Sequence, residues 1–108
     1  MNSIEEVKIY LRKFAEDRDW VKFHSAKNLS MALSVEVSEL VEHFQWLTEE
    51  ESLNLDENKK AEVGEEIADI QLYLIRLADR LNIDILEEVK AKTKKNEGRF
   101  PTLEQQKT

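Results

Sequence analysis

Apolar residues recur every three or four positions along most of this chain, the rhythm of amphipathic helices rather than of strands. Ile4, Val7, Leu11 and Phe14 keep that spacing to about residue 17, behind a Ser3/Glu6 pair set as in a capping box. The stretch "DRDWVKFHSAK" breaks the rhythm and predicts a loop holding Trp20, Phe23 and His24. Ser25 then serves as N-cap of a second helix reaching about Trp46. Its core face is Leu29, Leu33, Val37, Leu40, Val41, Phe44 and Leu47. The polar run "LTEEESLNLDENKK" predicts a connection with one helical turn opened by Thr48 and Glu51. A long third helix follows from Glu57 to Leu81, with a stripe of Val63, Ile67, Ile70, Leu74, Leu77 and Leu81. Leu72 and Ile75 lie off that stripe and predict a subunit contact. Asp84 and Glu87 open a fourth helix that ends near Asn96, with Gly98 as its stop. "RFPTLEQQKT" is left as a mobile or partner-docked tail.

Composition agrees with helices. Two Gly and one Pro in 108 residues are too few for the turns of a sheet protein. The length suits one domain over residues 1–108, with a core from about 3 to 97 and a tail from 98 to 108. A core of that size is small, so assembly with further copies is expected. The predicted fold is all-α, a bundle of four main helices completed by oligomerisation. A net charge of −7 without a long basic run argues against binding a nucleic-acid polymer. Cys is absent, which excludes disulfides and thiolate chemistry. The first residues lack a signal-peptide core, and no run approaches a membrane span, so a cytoplasmic protein without membrane contact is predicted.

Carboxylates interrupt the helical pattern in a particular way. Glu36 and Glu39 stand three apart on the margin of the second helix's core stripe, with His43 between them in projection. Glu66 and Asp69 repeat this spacing on the third helix, with Tyr73 between them in projection and Glu62 on the same flank. If the two helices pack antiparallel by their apolar faces, the pairs converge. Clustered carboxylates raise one another's pKa unless cations neutralise them. Oxygen-only ligands favour Mg²⁺ or Mn²⁺, and Mg²⁺ commonly shares its shell with substrate phosphates. Solvated helix margins are the ordinary alternative, in which the chain is a non-catalytic interaction module. A di-iron bundle fits poorly, because Glu-x-x-His is required on two helices and the third helix has no His.

At these residues the sequence resembles the MazG-like all-α nucleoside triphosphate pyrophosphohydrolases, whose signature is E-x-x-E, a spacer and E-x-x-D. The blocks "FAEDRDWVKFHSAKNL", "EVSELVEHFQW", "EEIADIQLYL" and "KTKKNEGRFP" are similar, in order, to those of its dCTP pyrophosphatase branch. The resemblance implies Mg²⁺-dependent cleavage between the α and β phosphates of a nucleoside triphosphate, with Mn²⁺ as a substitute ion. It assigns Glu36, Glu39, Glu66 and Asp69 to the metal and gives the attacking water to Glu39 or Glu36, with Glu39 preferred. It implies a base pocket from Trp20, His24 and Trp46, the last from a neighbouring subunit. It further implies phosphate or sugar contacts from Lys27, Asn28, Tyr73, Lys92, Lys95, Asn96 and Arg99. The partner it implies is a second copy of the chain, as a dimer of dimers.

Overall fold

The computed structural model describes residues 1–107. In chain order the elements are α1 (Ile4–Asp17), a 3-10 turn (Val21–Phe23), α2 (Ala26–Glu42), α3 (Glu49–Ser52), α4 (Glu57–Arg80), α5 (Ile85–Arg99) and α6 (Leu103–Gln106). No strand occurs among the described residues. The all-α expectation therefore holds, with four main helices as predicted.

Polar side chains start the helices. Ser25, Asp56 and Asp84 each accept a hydrogen bond from the backbone N–H three residues on, and Thr48 with Glu51 completes a reciprocal box. At α1 the box is displaced. Ser3 accepts from Glu6 N at 3.1 Å, but the Glu6 carboxylate turns to Asn2 N at 2.7 Å.

α1 and α4 end where the sequence predicts, whereas α5 and α2 depart from it. α1 and α4 both stop in Schellman motifs built on non-glycine residues: Asp19 and Asn82 each have φ of 56°. Trp20 N donates to Ala15 O at 2.8 Å and Ile83 N to Ala78 O at 2.8 Å, the six-to-one bonds of that motif. The expected stop at Gly98 is not one. α5 runs through it to Arg99, and Phe100 leaves the helix at φ −123° and ψ 79°. Pro101 explains the shift, because proline drives the preceding residue out of the α region. α2 ends at Glu42, short of Trp46, since the extended Thr48 cap forces the chain to turn before α3. The tail contains the short α6, opened by a Thr102/Gln105 capping box; Thr108 lies outside the described residues.

α2 packs most extensively on α4, and α1 packs on the C-terminal half of α4. The α2–α4 pair is antiparallel. His43, at the end of α2, lies 3.1 Å from Lys59 near the start of α4, while His24, just ahead of α2, meets Arg76 near the other end. Ala15, Leu29, Val63 and Ile75 form the buried core. Ile75 is thus covered within the chain, at the α1–α4 contact where Ile4 and Lys8 also line the groove, and is not a free subunit face.

Much of the predicted core face remains open. Val37, Val41, Ile67, Leu74 and Leu81 are all exposed, Val41 at 52% and Ile67 at 49%. α5 buries no residue at all. The radius of gyration is 17.7 Å, against about 13 Å for a compact chain of this length. The helices are amphipathic as the sequence predicts, but one copy supplies too few neighbours to cover them.

Candidate metal and nucleotide site

The antiparallel α2–α4 register brings the α2 carboxylate pair to Glu66 of α4. Glu36, Glu39 and Glu66 each offer an oxygen, and these atoms lie within 4.8 Å of one another. Asp69 is exposed and outside that group, though its charge acts on both Glu36 and Glu66. Glu36 Oε2 and Glu66 Oε2 are buried and have no hydrogen-bond partner.

The cluster is electrostatically costly as it stands. Burial, then the neighbouring Glu66, then the charges of Glu39 and Asp69 push the Glu36 carboxyl up to about 7. Glu66 is also raised, by burial first, while the neighbouring Glu36 carboxyl pulls the other way. The two behave as one coupled site, in which a proton on Glu36 eases the demand for one on Glu66. Among the described residues, no Lys or Arg forms an ion pair with Glu36, Glu39 or Glu66. On α4, Lys59 pairs instead with Glu62, one turn before Glu66, at 3.8 Å. An all-oxygen donor set with orphaned buried atoms and no cationic side chain fits a hard divalent ion.

The predicted nucleotide-binding residues fall into three groups. The first lies in the loop between α1 and α2. Trp20 follows the α1 Schellman turn, edge-on to Phe14 at 5.6 Å and to His24 at 6.4 Å. His24 Nδ1 accepts from Arg76 Nε at 3.1 Å, and its backbone carbonyl accepts from Arg80 Nε at 2.9 Å. Burial, then the charges of Arg76 and Arg80, lower its pKa. Asn28 donates its side-chain amide to Phe23 O at 3.1 Å, so this amide group braces the loop. Lys27 is exposed on the first turn of α2.

The second group flanks α2 and α4. Tyr73 is half-buried on α4, whereas Trp46, beyond α2, is 87% exposed. The third group is Lys92, Lys95, Asn96 and Arg99 on α5. Among the described residues, no hydrogen bond or ion pair joins them to the carboxylates, and Arg99 instead lies over the Phe100 ring at 5.1 Å.

Sequence periodicity missed the cationic cluster behind His24. Arg12 makes two hydrogen bonds to the Asp79 carboxylate, at 2.7 and 2.6 Å, and Arg76 Nη1 reaches the same carboxylate at 3.3 Å. Arg76 is 6% exposed. The available signal was the i, i+3 pair of Arg76 and Asp79 inside the apolar run "YLIRLADRL". Its partners on α1 and in the loop could not be read from spacing.

Comparison with known proteins agrees with this geometry. The chain is 38% identical to dCTP pyrophosphatase 1 of Bos taurus over 101 residues, covering 92% of this chain and 60% of that protein. It is 37% identical to dCTP pyrophosphatase 1 of Homo sapiens, covering 92% of this chain and 59% of that protein. The chain therefore spans about three-fifths of the length of these curated relatives. A solved structure, a pyrophosphatase from Archaeoglobus fulgidus, superposes with a TM-score of 0.85 at 44% identity, covering 91% of this chain and 92% of that one. Residues 31–108 match the MazG-like family, a span that takes in both carboxylate pairs. With Glu36 and Glu39 meeting Glu66 across the antiparallel α2–α4 pair, the chain belongs to the MazG-like family.

Proposed function

We propose that this chain is a divalent-metal-dependent nucleoside triphosphate pyrophosphohydrolase. Its substrates are (d)NTPs, with dCTP or related pyrimidine dNTPs favoured, and its products are the (d)NMP and pyrophosphate. The observation that carries the proposal is the meeting of Glu36, Glu39 and Glu66 with two orphaned buried carboxylate oxygens. The similarity to dCTP pyrophosphatases supports the substrate class.

Glu36, Glu39, Glu66 and Asp69 would hold Mg²⁺, or Mn²⁺ in its place. Such an ion, when bound, offsets the phosphate charge and polarises the phosphoryl oxygens. Glu39 orients the attacking water and takes its proton, with Glu36 as the alternative base. The water oxygen bonds to phosphorus as the α–β bridging bond breaks, and the electron pair leaves on the departing phosphate group. Trp20 and Trp46 offer aromatic faces for the base, and His24 offers a ring nitrogen to its edge. Lys27, Asn28, Tyr73, Lys92, Lys95, Asn96 and Arg99 complete the phosphate and sugar contacts.

Assembly with further copies, as a dimer of dimers, is part of this proposal. It would cover the open faces of α2 and α4 and carry α5 and Trp46 of one copy toward the carboxylates of another. The full span 1–108 then acts as one domain, with the residues after Arg99 as a tail. Among the described residues, no helix is long and apolar enough to cross a membrane. A cytoplasmic role in nucleotide-pool housekeeping follows from the substrate class. The test is pyrophosphate release from a panel of dNTPs with Mg²⁺, and its loss in Glu39→Gln.

A further inference from the structure

We infer that Arg76 is a positioning residue that fixes His24 as a hydrogen-bond donor, with its proton on Nε2, toward an acceptor atom of the nucleotide. This rests on the reading of His24 as part of the base pocket. The geometry that carries it is local to the protein. Arg76 is a permanent cation and can only donate, so the 3.1 Å bond from its Nε makes His24 Nδ1 the acceptor. A neutral imidazole that accepts at Nδ1 carries its proton at Nε2.

Arg76 is itself held in place. Its Nη1 bonds to Asp79 at 3.3 Å, and Asp79 is clamped by the two bonds from Arg12. The side chains of Arg76 and Asp79 are only 7% and 8% exposed. On the far side, Trp20 stands edge-on to the imidazole, and Arg80 pins the His24 carbonyl. The ring is therefore held by Arg76 and Trp20, and the His24 backbone by Arg80. Among the described residues, no hydrogen bond uses His24 Nε2, and the atom is not a fully buried orphan, so this donor is left available to a ligand. The lowered pKa of His24, from burial and then from the charges of Arg76 and Arg80, keeps the ring neutral.

A pocket built this way selects an acceptor, such as a base carbonyl or an unprotonated ring nitrogen. A nucleotide that presents an N–H at that point leaves two donors facing each other and is disfavoured.

The experiment pairs a tautomer measurement with kinetics. Nitrogen-15 NMR of the His24 ring in the nucleotide-free protein should show Nε2–H, and Arg76→Met should lose that preference. With the best dNTP, Arg76→Met should raise KM about tenfold, with the larger effect on KM than on kcat, and should narrow discrimination among bases. In a His24→Ala background the same substitution should add no further change in KM. A wild-type ring protonated on Nδ1 overturns the inference, and this holds even if Arg76→Met does not fold. An Arg76→Met protein with unchanged tautomer and unchanged KM also overturns it. Absence of turnover with every dNTP overturns the base-pocket reading instead, and the tautomer result separates that failure from a failure of the Arg76–His24 link.

Discussion

Glu36 on α2 and Glu66 on α4 turn buried carboxylate oxygens toward a common site, and neither oxygen has a hydrogen-bond partner. Two helices meet here at a point where their charges repel. The folded chain tolerates this by holding protons or, on the proposed function, by holding a cation.

The first prediction concerns pH. Glu36 is raised to about 7 in the folded chain, so its contribution to stability is full below the ordinary carboxylate range and is lost as pH rises through about 7. Asp79 acts in the opposite sense. Its pKa is lowered, chiefly by the hydrogen bond from Arg12, so its contribution is lost only in acid. Metal-free protein should therefore melt higher near pH 5 than near pH 8. Glu36→Gln should flatten that slope, and Mg²⁺ should raise the melting temperature more at pH 8 than at pH 5. Thermal melts in chelator and in Mg²⁺ check this; a metal-free protein that gains stability between pH 5 and pH 8 would refute it.

Asp79→Ala should destabilise the fold by about 3 kcal/mol, because it strips the carboxylate from a nearly buried Arg76. Asp79→Asn should cost less, since an amide can still accept from Arg76. Urea unfolding of the two variants measures the difference; equal losses would contradict this and show that the charge, not the hydrogen-bond acceptor, is what Arg76 requires.

Asn82 holds the left-handed position that ends α4. Glycine reaches that conformation without a Cβ clash, so Asn82→Gly should be neutral or stabilising by up to about 1 kcal/mol. Asn82→Val should be destabilising by about 1–2 kcal/mol. Denaturant melts that rank Val above Gly would contradict the cap.

Ile67 and Val41 are exposed on helices whose apolar faces lack a partner. Ile67→Asp should dissociate the assembly and make the melting temperature independent of protein concentration. Sedimentation equilibrium reads this directly. A wild-type chain that sediments as a monomer at micromolar concentration would remove the basis for shared sites.

These predictions also mark how far the sequence could be read. Helical spacing and capping residues place Ser25, Thr48 and Asp84 at element starts, because an N-cap is a local interaction within one turn. The pairing of Glu36 and Glu39 with Glu66 was legible because two i, i+3 patterns share a margin with two core stripes. Asp69 stands outside the triad, since a rotation of one helix by a few tens of degrees is not encoded in spacing. The stop at Gly98 failed because proline at 101 outweighed a permissive glycine that the helix could simply absorb. Arg12, Asp79, Arg76 and His24 come from three separate elements, and only tertiary packing brings them together. Exposure of Val41 and Ile67 was equally hidden, because an apolar stripe looks the same whether its partner lies in the same chain or in another.

The central claim is that the Glu36, Glu39 and Glu66 cluster supports hydrolysis of a nucleoside triphosphate at the α–β bond. Its most direct measurement is the product profile of the purified chain incubated with each dNTP and Mg²⁺. The account predicts nucleoside monophosphate and pyrophosphate in equal amounts, fastest with dCTP or a related pyrimidine nucleotide, and a fall of at least about a hundredfold in kcat for Glu39→Gln. Orthophosphate as the sole phosphate product, or turnover that Glu39→Gln leaves intact, would contradict it.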